Sequence, residues 1–229
     1  MKAFVLAGGL GTRLRPKFGE LPKPLAPIGG KPFLERQLGW LKSHGIAHAV
    51  LCTGYGGAAI RDTLGAATAG VSLEFSEEQD PLGTGGALKL AQPYLDGPCC
   101  VLNGDTLPEG DPWTLEQGRW ETGAIGAIAL YEVADARARG RVECDANGRV
   151  LRFVEKDADY SGHAWVNGGL YTFSSSLWRY IPAGVSSLER DVLPGLAAEG
   201  RLLGVRLPGN FYDIGTPEEW ERAERHFTV

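Results

Sequence analysis

Several signatures that sort proteins into classes are scarce or missing in this 229-residue chain. It has four cysteines, Cys52, Cys99, Cys100 and Cys144, with no Cys-x-x-Cys pair and no Cys/His ligand spacing. They read as reduced, buried thiols in preference to a zinc site. The four histidines, His44, His48, His163 and His226, form no cluster with neighbouring Cys or carboxylates. No apolar run approaches the ~20 residues that cross a bilayer, and the N-terminus has no secretory apolar core with a cleavage site. The cytoplasm is the expected location, with no membrane partner. A formal net charge of −5 leaves no global basic footprint for nucleic acid. Two phosphate-binding signatures are absent as well. No Gly-Lys-Ser/Thr closes a Walker loop, and Leu14 stands where a dinucleotide fingerprint starting at Gly9 would need its third glycine.

What the chain does have is concentrated early. Ala3 to Ala7 is a continuous apolar run suited to a strand buried on both faces of a parallel sheet. The segment LAGGLGTRLRPKFGELPKP, Leu6 to Pro24, then packs four glycines, two arginines and two lysines into one loop. Gly8, Gly9 and Gly11 let backbone N–H groups converge on an anion. Thr12 supplies a hydroxyl, Arg13 a planar fork for phosphate oxygens, and Lys23 a point charge held between Pro22 and Pro24. Arg15 is a lesser candidate that also reads as a solvated loop charge. Pro16 argues against direct entry into a long helix.

The first half alternates strands (2–7, 48–53, 71–75, 99–103) with helices (32–43, 57–65, 84–92). Pro32 suits a first helical position, Leu34, Leu38 and Leu41 form an apolar stripe, and Thr84 suits a cap that aims the N–H groups of Gly85, Gly86 and Ala87 outward. The second half reads as a strand at 124–132, a hairpin at 140–154 turning through Asp145 to Gly148, and a strand at 165–173 interrupted by Gly168-Gly169. Capping-box patterns at Ser186/Glu189 and Thr216/Glu219 open two late helices. With no internal repeat or linker, the expectation is one domain, residues 1–229: a Rossmann-like three-layer α/β/α fold with a mixed, mostly parallel central sheet.

GG-x-GTRLRP and LPKPLAPIGGKPFLE resemble the sugar-1-phosphate nucleotidylyltransferases, and the second stretch is most similar to guanylyltransferases acting on D-glycero-D-manno-heptose 1-phosphate. Further matches are PLGTGGA at Pro81 to Ala87, LNGD at Leu102 to Asp105, Glu155-Lys156, VNGG at Val166 to Gly169 and FYDIGTP at Phe211 to Pro217. The resemblance implies transfer of a nucleotidyl group from an NTP, GTP by preference, to a sugar 1-phosphate, with release of pyrophosphate. It places the nucleotide in about residues 1–110 and the sugar in a small β excursion within about 111–229.

The residues themselves fit that chemistry. Asp105 follows an apolar strand, at the sheet edge where ligands of open α/β sheets bind. Asp213 lies among Phe211, Tyr212 and Ile214, where an isolated carboxylate is costly to bury. One Mg²⁺ held by both explains both positions, and the resemblance implies the same pairing. The alternatives are a turn-forming Asp105 and an Asp213 bonded to local backbone. Arg13, Lys23 and Asp105 are the expected catalytic groups. Leu6, Ala7, Gly8, Gly9, Gly11, Thr12, Arg13, Glu78, Gly83, Gly85, Gly86 and Asn103 are expected at the nucleotide. Glu78 aligns with the family's base-reading position; a carboxylate accepts from guanine N1–H and N2–H₂ together, but also from the imide of uracil or thymine. Glu155, Lys156, Asn167 and Gly168 are expected at the sugar phosphate, and Asp157 replaces a proline frequent in the family. A hexose or amino-sugar 1-phosphate with GTP, UTP or dTTP, and a non-catalytic sugar-nucleotide sensor, stay open at this point, as does oligomeric state.

Overall fold

The computed structural model describes residues 1–137, 139–154 and 158–228. Its strands are β1 (Lys2–Leu6), the short ribbon β2 (Pro27–Ile28) and β3 (Lys31–Pro32), β4 (His48–Thr53), β5 (Ala67–Thr68), β6 (Val71–Glu77), β7 (Cys99–Asn103), β8 (Thr106–Pro108), β9 (Gly126–Val133), β10 (Arg141–Cys144), β11 (Val150–Val154), β12 (Ala164–Phe173), β13 (Leu202–Arg206) and β14 (Phe211–Asp213). Its helices are α1 (Arg15–Phe18), α2 (Phe33–Ser43), α3 (Gly57–Leu64), α4 (Gly83–Leu90), α5 (Pro112–Thr122), α6 (Leu193–Ala198) and α7 (Pro217–Phe227).

Ten strands form one mixed sheet. The parallel run β7-β1-β4-β6 comes from the first half; β7, β1 and β4 are apolar and largely buried, whereas β6 alternates and exposes Ser72, Glu74 and Glu77. The long β12 then pairs antiparallel with β7 on one side and β9 on the other, and β13 continues parallel to β9. Both sheet faces are covered. Alternate residues divide between two cores, Ala3, Val5 and Cys100 on the α2 face and Phe4, Val101 and Cys99 on the other. The two adjacent cysteines therefore point in opposite directions, as strand geometry requires. Cys52, Cys99 and Cys100 are buried and Cys144 is half-buried, all with free thiols.

The hairpin β10-β11 turns where Asp145 caps the N–H groups of Asn147 and Arg149. A separate ribbon, β14 against β8, pairs Asp213 with Thr106. It brings the end of the chain back to the first half, which pattern alone does not reveal.

Three helix starts differ from the sequence expectation. Pro32 is the extended N-cap of α2 and not its first helical residue, because it also belongs to the β2-β3 ribbon. Ser187, not Ser186, caps the π-helical turn Leu188–Val192 by accepting from Arg190 N–H at 3.2 Å. Thr84 lies inside α4, whose N-cap is Leu82. Its hydroxyl donates to Glu189 (2.7 Å) and accepts from Leu188 N–H (2.8 Å), so it staples α4 to the later turn.

Candidate active site

Asp105 and Asp213 are delivered to the same place by the β8-β14 ribbon. Asp105 precedes β8, Asp213 ends β14 opposite Thr106, and Ile214 N–H donates to the Asp105 carbonyl at 3.0 Å. Burial and the neighbouring charges of Asp105 and Glu219 push the Asp213 carboxyl up to about 6, against opposing effects of Lys23 and Arg139. Its Oδ1 accepts from Gly215 N–H at 2.6 Å, and its Oδ2 lies 3.7 Å from Arg139. Arg139 is tied more closely to Glu219, at 2.8 Å.

Lys23 donates to Asp105 Oδ2 at 2.6 Å from a largely buried position. Gly11 makes that placement possible. It has φ of 58°, and a Cβ there would lie 2.8 Å from the Lys23 Cβ. Gly8 and Gly9 do not take positive φ. A Cβ on Gly8 would meet Glu78 Oε1 at 2.8 Å, so that glycine makes room for a side chain, whereas Gly9 faces open space. Thr12 and Arg13 are exposed on a short 3₁₀ turn, Thr12–Leu14, with the Arg13 guanidinium beside Gly215. Arg15 is drawn away by Glu20, 3.6 Å distant, and by the Tyr55 ring.

A cleft of ≈ 290 Å³ opens beside Lys23 and Asp105, and its lining does not include Gly11, Thr12, Arg13 or Asp213. Leu6, Ala7, Gly8, Gly9, Glu78, Gly83 and Asn103 line it together with Lys23 and Asp105. Burial raises the Glu78 carboxyl above its usual range, opposed by Leu82 N–H, which donates to Oε2 at 3.0 Å.

Gly85 and Gly86 are not open to a ligand. Both N–H groups donate to the Ser186 carbonyl, and a Cβ would strike Ser186 at 2.6 Å or the Gly184 carbonyl at 2.5 Å. The expectation that a ribose or base approaches the start of α4 at these two residues is corrected on that ground.

On the other flank Asn167 accepts from Gly169 N–H (2.8 Å) and donates to the Tyr171 hydroxyl (2.7 Å), at the point where β12 slips register against β9. Gly168 is buried beneath Tyr131, with a Cβ only 2.3 Å from its ring, so packing demands this glycine. Glu155 and Lys156, with Asp157, lie outside the described residues.

The model of the nucleotidyl transferase family matches residues 2–228. The chain belongs to that family. It is 37% identical over 226 residues to the mannose-1-phosphate guanylyltransferase of Mycobacterium tuberculosis, covering 96% of this chain and 63% of that one. It is 34% identical over 229 residues to the mannose-1-phosphate guanylyltransferase catalytic subunit beta of Danio rerio, covering 96% and 62%. The chain thus spans less than two thirds of these relatives' length. The crystal structure of HddC from Yersinia pseudotuberculosis superposes with a TM-score of 0.88 at 33% identity, over 99% of both chains. HddC complexed with GMP-PN gives 0.85 at 32%, again over 99% of both.

The donor set at this site fits a hard divalent cation. Two repelling carboxylates share one partly buried place, and a cation held by Asp105 and Asp213 relieves that repulsion. Among the described residues Glu219 neighbours Asp213, but no group of three or more His, Cys, Asp or Glu is arranged to hold a metal ion, which leaves the other positions to phosphate oxygens and water. Sequence reasoning missed Arg139 and Glu219, which surround Asp213, and Thr84, Ala87 and Cys52, which line the cleft. Only their spatial convergence marks them. Among the described residues no helix is long and apolar enough to cross a membrane.

Proposed function

We propose that this chain transfers GMP from GTP to a sugar 1-phosphate, releasing pyrophosphate and forming a GDP-sugar. The observation that carries the reading is the convergence of Lys23, Asp105 and Asp213 beside a glycine-lined cleft whose wall includes Lys23 and Asp105. Binding alone does not call for a cation beside two clustered carboxylates.

The attacking phosphate oxygen is already ionised near neutral pH, so the site needs no general base. The obstacle is repulsion between two anions, and the site's task is neutralisation and in-line alignment. Mg²⁺ held by Asp105 and Asp213 would neutralise charge on the triphosphate. Lys23 is parked on Asp105, and an incoming α-phosphate competes for its ammonium as charge builds there. Arg13, exposed on the 3₁₀ turn, reaches the departing β and γ phosphates. Among the described residues no hydrogen bond reaches Glu78 Oε1, which is offered to the guanine N1–H and N2–H₂ edge, an interaction that favours its ionised form. Asn167 and Gly168 are our assignment for the sugar-phosphate side, and Glu155 and Lys156 are assigned to it on the sequence resemblance alone.

D-glycero-D-manno-heptose 1-phosphate is the favoured acceptor, on the likeness of the LPKPLAPIGGKPFLE stretch, and GDP-heptose for a cell-surface polysaccharide the resulting product. Mannose 1-phosphate is the competing acceptor, supported by the 37% and 34% identities to enzymes named for it. A matrix of GTP, UTP and dTTP against heptose, mannose and glucose 1-phosphates, read by pyrophosphate release, separates them. Highest kcat/KM with any pair lacking GTP contradicts the guanylyl reading.

A further inference from the structure

Gln37 is fully buried in α2, on the same face as Leu34, Leu38 and Leu41. A leucine would continue that stripe. Gln37 instead sends both hydrogens of its amide to backbone carbonyls, Asn103 at 2.9 Å and Thr106 at 2.6 Å. These carbonyls bracket Gly104-Asp105, the turn between β7 and β8 that carries the first carboxylate. The same turn is pinned from a third side by Gly104 N–H donating to the Leu6 carbonyl at 2.9 Å.

The clamp leaves one debt. Gln37 Oε1 is buried without a hydrogen-bond partner, an arrangement that an apolar side chain would avoid. What an apolar side chain cannot supply is two donors in one plane. They fix the separation of the Asn103 and Thr106 peptides, and hence the direction in which Asp105 leaves the turn. Thr106 is also the register partner of Asp213, so the grip on its carbonyl extends to the strand pair holding the second carboxylate.

We propose that Gln37 is a positioning residue for phosphoryl transfer, a two-donor clamp that holds the Asp105 turn in its productive geometry. The proposal rests on the assignment of Asp105 and Asp213 above and deepens it. Gln37 touches neither substrate nor cation in this reading. Its removal therefore acts on turnover and on cation affinity, and leaves nucleotide recognition at Glu78 in place.

The test uses Gln37→Met, which preserves approximate volume and removes both donors, beside Asp105→Asn. For folded Gln37→Met the expected result is a fall in kcat of about tenfold to a hundredfold, the scale of a small misplacement of a reacting group. KM for GTP should stay within about threefold. Mn²⁺ binding without nucleotide, read by paramagnetic resonance, should weaken by roughly fivefold or more, an effect that a packing role alone does not produce. Parental kcat and Mn²⁺ affinity in the folded variant overturn the clamp. If Asp105→Asn itself turns over normally, the assignment of Asp105 fails instead. Should Gln37→Met not fold, the parent protein decides: both Gln37 side-chain amide protons should be slow to exchange in its NMR spectrum and should shift when Mg²⁺ and GTP are added. Rapid exchange of either proton overturns the proposal.

Discussion

Replacing Asp213 with asparagine should abolish turnover and at the same time stabilise the cation-free protein. The folded carboxyl sits at about 6 against an ordinary value of 3.8, because burial and the charges of Asp105 and Glu219 disfavour ionisation. A shift of about two units corresponds to about 3 kcal/mol. The sign follows from linkage. The folded state holds this proton more tightly than the unfolded chain, so the cost is absent below pH 3.8, grows between 3.8 and about 6, and is complete above that. Asparagine keeps an oxygen for Gly215 N–H and loses the attraction of Lys23 and a 3.7 Å ion pair with Arg139, which retains Glu219 at 2.8 Å. The expected net gain at pH 8 is about 1–3 kcal/mol, equivalent to roughly 2–10 °C for a chain of this size. Urea denaturation in EDTA at pH 8 and pH 5 measures it, with the gain shrinking at the lower pH. Millimolar Mg²⁺ should then stabilise the parent and leave Asp213→Asn unmoved. A variant no more stable than the parent at pH 8, or a gain independent of pH, refutes the account of Asp213 as a carboxylate made costly by burial and by its like-charged neighbours.

Lys23→Met should lower kcat by about a hundredfold or more, as expected when a donor to developing phosphate charge is removed, and parental kcat would assign Lys23 to Asp105 alone. Glu78→Gln should cut the preference for GTP over UTP by about tenfold or more in kcat/KM, since the amide presents a donor where guanine needs an acceptor; an unchanged ratio removes Glu78 from base reading. Gly168→Ala drives a Cβ to 2.3 Å from the Tyr131 ring and should cost about 1–3 kcal/mol in a thermal or urea melt. A neutral effect there would show that β12 can slide away from Tyr131.

The parts of the fold readable in the sequence are those whose causes are local. Ala3 to Ala7 and Cys99 to Leu102 announce buried parallel strands because no polar residue interrupts them, and Asn147-Gly148 announces the hairpin turn, which the Asp145 side chain then caps. Asp105 and Asp213 could be singled out separately, by the strand end and by the aromatic surroundings, but the ribbon joining them is a tertiary pairing. The same limit explains the corrections. Gly85 and Gly86 have the composition of a ligand-facing helix start, and their N–H groups are taken by Ser186, about a hundred residues away. Gln37 looks like an ordinary polar position in an amphipathic helix until its two acceptors are seen. Gly8, chosen for a ligand's approach, does line the cleft, and its missing side chain also makes room for Glu78.

The central claim is that Asp105 and Asp213 act together in joining GTP to a sugar 1-phosphate. Pyrophosphate release by the parent protein with GTP, Mg²⁺ and heptose or mannose 1-phosphate, each omitted in turn, tests it most directly, with Asp105→Asn and Asp213→Asn run alongside. Release should require all three components and vanish in both variants. Release that survives either substitution, or that proceeds without the sugar phosphate, would contradict the account.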